Sequence, residues 1–300
     1  YIGRSFYTSV NWVDDALEYI NEMRNKPEYA NEKFEILIAS GTYKPSMRRT
    51  DAISEGADQR QNSYVIPHGV SVYGGFRGDE LISSTAIGQP EFTSIPNVNG
   101  TFTCNGDIKG ILADREYSDF NQNGINDPWE FANQTVLSGK INVSLEVNNV
   151  YHVLYSDASK VTDPMPVVLD GLTVMDGETS NVLSNVADKD ELGRGGGLYT
   201  NKVPYVINRC RFMNNLAVRG GAVYARDAKL TIVNSIFAGN GTVDNPTTEG
   251  GDYQPPRGGA VYIAGIDKEN PTGALYAVNT LWVNNETAGQ GGAIGTNYTD

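Results

Sequence analysis

Cysteine and histidine are the scarcest chemistry in this chain, with two of each among 300 residues. Cys104 and Cys210 lie far apart and match no metal spacing, so both read as ordinary thiols. His68 and His152 stand alone, and a lone histidine is more often a hydrogen-bonded structural residue than a general base. Helix formers are sparse beyond the first thirty residues or so. No apolar run approaches the ~18 residues of a membrane-spanning helix. Positive charge is short as well: the formal net charge is −13, and no local Lys/Arg cluster offsets it. That balance disfavours nucleic acid or an anionic membrane as partner, and suits neutral sugars, cations or basic protein surfaces. Tyr1 opens onto folded-looking sequence with no signal peptide, so the chain is expected to be mature or trimmed, its export signal removed.

What is abundant is glycine, 33 of 300 residues, above the usual ~7%. Much of it is periodic. Gly195-Gly196-Gly197-Leu198-Tyr199, Gly220-Gly221-Ala222-Val223-Tyr224, Gly258-Gly259-Ala260-Val261-Tyr262 and Gly291-Gly292-Ala293-Ile294-Gly295 share one pattern. A second signature precedes three of them: Phe212-Met213-Asn214-Asn215, Phe237-Ala238-Gly239-Asn240 and Trp282-Val283-Asn284-Asn285. Such self-similarity marks stacked supersecondary units. Short strands rich in Val, Ile and Tyr between tight bends define one coil of a parallel β-helix. The expected fold is therefore all-β, a right-handed parallel β-helix over residues 34–300, with an N-terminal cap over 1–33 and long loop insertions.

The cap contains the one convincing helix, Asn11 to Arg24. Trp12, Ala16, Leu17, Ile20 and Met23 form its apolar stripe, and Asp14 and Asp15 sit in its first turn. A solenoid needs its first coil covered, which gives the helix a role. Inward-facing pairs are expected at Leu230/Ile232 and Leu275/Ala277. The asparagines at 215, 240 and 285 are expected to form an amide ladder and to adopt the left-handed backbone themselves. The last repeat stops at Thr299-Asp300 with no capping element, so more chain or a partner is expected at that end. Six sequons begin at Asn99, Asn133, Asn142, Asn240, Asn285 and Asn297; in such a repeat they read first as turn chemistry.

The Phe-x-x-Asn and Gly-Gly-Ala-aliphatic pair resembles the repeat of chlamydial polymorphic outer-membrane proteins. Ala39-Ser40-Gly41-Thr42-Tyr43-Lys44-Pro45, Gly69-Val70-Ser71-Val72-Tyr73-Gly74-Gly75-Phe76 and Val168-Leu169-Asp170-Gly171-Leu172-Thr173-Val174 resemble right-handed parallel β-helix surface proteins of Bacteroidetes-type bacteria. The resemblance spans nearly the whole chain. It implies an extracellular or outer-membrane-attached protein, such as a lipoprotein, acting as a binding or adhesion scaffold. Alternatives are a polysaccharide lyase or glycoside hydrolase on the same fold, or a structural subunit of an outer-surface complex. The Asp-Asp and Gly-His-Gly signatures of polygalacturonase-like enzymes are absent, which favours the non-catalytic reading. Arg209 and Arg211 flank Cys210 and are the positions where a lyase-like base would stand. Asp188, Asp190 and Glu191 read as a solvated acidic turn.

Two candidate sites follow. Asp119-Phe120-Asn121-Gln122-Asn123-Gly124-Ile125-Asn126-Asp127-Pro128-Trp129-Glu130 fits the calcium-loop pattern D-x-[DN]-x-[DN]-G-x5-E. Asp119, Asn121, Asn123, the Ile125 carbonyl and Glu130 are the expected Ca²⁺ ligands, with Asp127 direct or through water. The apolar residue falls one place early, at Ile125, and Pro128 is unusual; the ion's expected role is structural. The other site is the row Tyr199, Tyr224 and Tyr262, one strand spacing (about 4.8 Å) apart per coil. If Leu198, Val223, Val261 and Ile294 face inward, alternation turns the tyrosines out as a ladder for sugar rings. If not, they are a stacked core.

Overall fold

The structure is a computed structural model; it describes residues 13–46, 59–78, 112–113, 115–141, 149–179, 189–244, 255–265, 269, 272–297 and 299. The chain is a right-handed parallel β-helix, with its strands in four all-parallel sheets.

Three of the sheets have six strands each. The first contains Phe34–Ala39, Val70–Phe76, Val167–Asp170, Tyr205–Asn208, Lys229–Val233 and Ala274–Val278. The second contains Gly41–Tyr43, Thr135–Ser138, Leu172–Met175, Arg211–Met213, Ile236–Ala238 and Leu281–Val283. The third contains Tyr64–Val65, Leu154–Asp157, Leu198–Asn201, Val223–Arg226, Val261–Ala264 and Ile294–Asn297. A short fourth sheet (Leu216–Ala217, Gly241–Thr242, Glu286–Thr287) bridges the second and third in the later coils. Each coil thus visits the sheets in the same order, and each strand pairs with its counterpart one coil away.

The register follows the repeats. Leu230 pairs with Leu275 and Ile232 with Ala277. Phe212, Phe237 and Trp282 are in register and stack inside the coil, with ring centroids 5.0 and 4.6 Å apart. Leu230 and Ile232 are fully buried, whereas Ala277 is exposed because its strand belongs to the last coil described. Tyr276, Val278, Leu281 and Ile294 of that coil are also exposed.

At the other end lies the helix Val13–Arg24. Val13, Ala16, Leu17 and Ile20 join the same core cluster as Phe34, Ile36, Ile38 and Tyr64 of the first coil. The amphipathic stripe therefore covers the first coil, as a cap must. Asn11 and Trp12, assigned to this helix from sequence, lie outside the described residues. Asp14 is buried at the cap and accepts hydrogen bonds from the Ser46 N–H and hydroxyl, both at 2.8 Å.

The amide ladder is present. Asn215 Nδ2 donates to Asn240 Oδ1 at 3.0 Å, and Asn240 Nδ2 to Asn285 Oδ1 at 3.0 Å. The left-handed residue is one place earlier than expected: Asn214 (φ 53°), Gly239 (φ 65°) and Asn284 (φ 50°) make the bend. The bend residue carries the unusual backbone, while the next residue, buried at Asn215 and Asn240 and half-buried at Asn285, spends its amide on neighbouring coils. Asn240 is thus a buried ladder member rather than a surface sequon, and Asn285 a half-buried one. A second row at another corner joins Asn279 to Asn234 at 2.7 Å and Asn234 to Asn208 at 3.4 Å.

The glycine pairs allow close approach between coils. Gly220 has φ +59°, and a Cβ on Gly221 would fall on the carbonyl oxygens of Gly241 and Gly259. Backbone cannot yield there as a flexible side chain would. Gly221→Ala is accordingly expected to abolish soluble, folded protein or to lower its melting temperature sharply. Wild-type melting behaviour for this variant, read by circular dichroism, would contradict the packing described.

Candidate functional site

The loop 119–130 is held at its base by an antiparallel bridge between Tyr117 and Phe131. The Ser118 N–H donates to the Glu130 carbonyl at 2.8 Å, and the Ala132 N–H to that of Glu116 at 2.9 Å. Within the loop, Asp119 accepts from the N–H groups of Asn123 (3.1 Å) and Gly124 (2.8 Å). Asn121 and Asn123 accept from the N–H groups of Asn123 and Ile125. Their amide groups donate to Asp127 at 2.9 and 3.3 Å. Glu130 is buried and accepts from the Asp127 N–H at 3.2 Å. Asp119, Asn121, Asn123 and Asp127 thus form one network, with Glu130 at its edge, and the Ile125 side chain is exposed. Among the described residues no group of three or more His, Cys, Asp or Glu side chains is close enough to hold a metal ion. The donor set is all oxygen, the kind calcium takes. Coordination would require the Asn121 and Asn123 amides to release Asp127.

This insertion is fastened to the coils by charge. Arg115 donates to Asp170 at 2.8 Å and to the Gly74 carbonyl at 3.0 Å, and its side chain is fully buried. Arg209 donates to the other Asp170 oxygen at 2.7 Å, and Asn208 donates there as well. Both guanidiniums lie over the Phe131 ring, at 4.6 and 6.0 Å. The Asp170 carboxylate holds Arg209 above the ordinary arginine pKa against the opposing effect of burial. Through this pair Arg209 clamps the corner of the coil at Asp170. Arg211 lies over Phe120 at 6.0 Å, and burial lowers its pKa, opposed by the Glu130 charge.

The tyrosine row differs most from the ring-binding expectation. Tyr199, Tyr224 and Tyr262 are buried, 2%, 2% and 1% exposed. They are joined by Tyr155, and the four rings stack at 5.3, 5.7 and 5.7 Å between centroids. Leu198, Val223 and Val261 do face the interior. Alternation thus assigned the faces correctly but not the exposure, because the outer face has its own cover. Each ring is shielded by the next ring, and a row of arginines flanks the column. The ladder as a platform for sugar rings is overturned, since ring faces occupied by other rings stack on nothing else. Tyr155 escaped the repeat pattern because Tyr151-His152 replaces the glycine pair in its coil.

The flanking arginines had a signal that motif reading passed over. Arg194, Arg219 and Arg257 each stand immediately before a glycine pair, where Gln290 stands in the last copy. Parallel bridges link Arg194 to Arg219, Arg219 to Arg257 and Arg257 to Gln290. Their side chains crowd the tyrosines: Arg194 lies over the Tyr224 ring at 5.1 Å and Arg219 over Tyr262 at 5.6 Å. Arg257 donates to the Tyr262 hydroxyl at 3.3 Å. Arg226 ends the central strand on the other side of the column.

Between these walls lies a cleft of about 480 Å³, lined by Arg194, Arg219 and Arg226, Glu191, Asn297 and the three repeat tyrosines. Three guanidiniums against one carboxylate make it basic in a chain of net charge −13. Burial first, then the neighbouring Arg194 and Arg257, depress the Arg219 pKa, while Tyr262 and Tyr224 oppose them. Burial raises the Tyr224 pKa, so its hydroxyl stays protonated and able to donate. The cleft is on the third sheet, away from the loop 119–130.

The histidines keep structural roles. His152 is fully buried with Nδ1 3.0 Å from the Gly195 carbonyl, and its ring is 5.5 Å from Tyr199. His68 Nδ1 accepts from the Met165 N–H at 3.4 Å. Cys210 is buried and unpaired, its thiol pushed up to about 12 by burial; Cys104 and Asp188 lie outside the described residues. No described helix is long and apolar enough to cross a membrane. Comparison with protein-family models, with curated proteins and with solved structures gives no match for this chain.

Proposed function

We propose that this chain is a non-catalytic binding scaffold, exported and displayed at a bacterial cell surface, whose ligand sits in the cleft beside the tyrosine column. The observation behind this reading is the cleft's composition. Its polar groups are guanidiniums and phenols held on consecutive coils, and Glu191 is the one carboxylate among its lining residues. Such a surface holds a ligand by hydrogen bonds and charge, whereas hydrolysis of a sugar chain generally needs two carboxylates across the bond. The surface location rests on the resemblance of the repeats to those of bacterial β-helix surface proteins. A glycan array read alongside a depolymerisation assay on the same preparation tests it: selective binding without cleavage is expected. Release of reducing ends or unsaturated sugars would overturn it.

The loop 119–130 carries a separate proposal, a structural calcium site. Its support is the complete donor pattern and the pinned base of the loop. Binding should place ligand oxygens roughly 2.3–2.6 Å from the ion. Calorimetry is expected to show calcium binding to the wild type, weakened strongly in Glu130→Gln. Absence of any calcium heat in the wild type ends the idea.

A further inference from the structure

Four Asn-Gly pairs occur in the chain, and two of them, Asn123-Gly124 and Asn240-Gly241, lie among the described residues. Asparagine before glycine is open to attack from within the chain, because no side chain shields the nitrogen of the second residue. That nitrogen can close on the asparagine Cγ. Closure is helped by a group that takes the N–H proton, a donor for the oxygen that gains charge, and a side chain already folded back. The two pairs differ in all three respects. Asn240 is 1% exposed, and its amide donates to the Phe212 carbonyl at 2.9 Å and to Asn285 Oδ1 at 3.0 Å. Its Oδ1 accepts from Asn215, and the Gly241 N–H donates to the Asn215 carbonyl at 2.9 Å. A side chain spent on two other coils is not free to fold over its own next peptide, so this pair is inert while the coils stay stacked.

Asn123 and Gly124 are both exposed in the loop 119–130, and nothing lies within 4 Å of where a Gly124 Cβ would stand. The Gly124 N–H donates to Asp119 Oδ2 at 2.8 Å, so a carboxylate already holds the proton that has to leave. Asn123 Oδ1 accepts from the Ile125 N–H at 2.8 Å. This is an Asx turn, which folds the side-chain carbonyl over the peptide group that follows it. Its donor also faces the oxygen that becomes negative as the ring closes. The leaving nitrogen, Nδ2, is held by a 3.3 Å bond to Asp127 Oδ2. Proton acceptor, oxyanion donor and folded side chain therefore meet at this one pair.

We propose that Asn123 is a self-modifying site, converted without any enzyme to aspartate and isoaspartate, with Asp119 as the proton acceptor. The Gly124 nitrogen gives its proton to Asp119 and bonds to Asn123 Cγ. The Cγ–Nδ2 bond then breaks, and Nδ2 takes up that proton and departs as ammonia, leaving a five-membered succinimide. Water opens the ring at either carbonyl, so one water enters, one ammonia leaves and nothing is oxidised or reduced. Either product replaces the amide that donates to Asp127 with a carboxylate, and isoaspartate also lengthens the main chain by a methylene. Incubation of the full chain near neutral pH, followed by peptide mass spectrometry and isoaspartate methyltransferase labelling, tests this. A chelator is present throughout, so the outcome does not depend on whether the loop takes calcium. Asn123 is expected to convert about tenfold or more faster than Asn240. It should also convert faster than in urea-unfolded protein, where the two pairs react alike. In the folded chain Asp119→Asn should slow Asn123 about tenfold or more, with its rate in urea unchanged. Conversion of Asn123 no faster folded than unfolded would overturn the inference, and so would a wild-type rate in folded Asp119→Asn. Should that variant fail to fold, the comparison of folded with urea-unfolded wild type decides alone.

Discussion

Replacing Asp170 with alanine is expected to destabilise the protein by about 3–5 kcal/mol, the usual result of removing one partner from a buried ion pair. Its carboxylate receives Arg115 and Arg209 at 2.8 and 2.7 Å, and the Arg115 side chain is fully buried. Without Asp170 two guanidiniums face each other with no counter-charge. Neither can lose its proton to escape, because arginine stays charged in proteins. The loss should be local first, since Arg115 and Phe131 belong to the insertion and Asp170 to the coils. Limited proteolysis is expected to nick the 115–131 region of Asp170→Ala before the coils unfold. The double variant Asp170→Ala/Arg115→Met should recover part of the stability, because removing the stranded charge relieves most of the penalty. An unchanged melting temperature in Asp170→Ala would rule out the clamp.

Tyr224→Ala should be comparably damaging, at about 3–5 kcal/mol. Its ring lies between Tyr199 and Tyr262, each at 5.7 Å, and truncation opens a gap in the middle of the column. Two stacking contacts and the cation–π contact from Arg194 go together. Tyr224→Phe keeps the stack and loses only the hydroxyl, so its melting temperature should stay close to wild type. Thermal melts of the two variants distinguish a buried column from a surface ladder. A surface ladder would leave Tyr224→Ala as stable as Tyr224→Phe.

These two variants mark where reading the sequence succeeded and where it stopped. Strand registers such as Leu230 with Leu275 were legible, because stacked coils force equivalent positions onto one another and the repeat marks the equivalence. The cap was legible too, since an apolar stripe at helical spacing beside a solenoid has one place to go. The asparagine ladder was correct in its members and displaced by one residue in its bend. A pattern locates a turn more readily than it locates the one residue with positive φ.

The basic cleft was invisible for a different reason. Its arginines make no cluster along the chain, where Arg194 and Arg219 are a whole coil apart. Stacking converts a period in sequence into proximity in space, so a column forms from residues that look isolated. The clamp on Asp170 has the same origin, joining Arg115 of an insertion to a carboxylate in a corner between two strands.

The sequence by itself determined the architecture: coils of short strands, glycine pairs where backbones meet, an apolar interior and a helix over one end. Those features depend on local propensity and on repetition, both written along the chain. Only the tertiary structure decided what the outer face of the third sheet presents. Alternation says which side of a strand a tyrosine leaves from, and burial depends on what else arrives there. Here neighbouring tyrosines and arginines arrived, making of a row that sequence left open between a ladder and a stacked core a closed column beside a basic cleft.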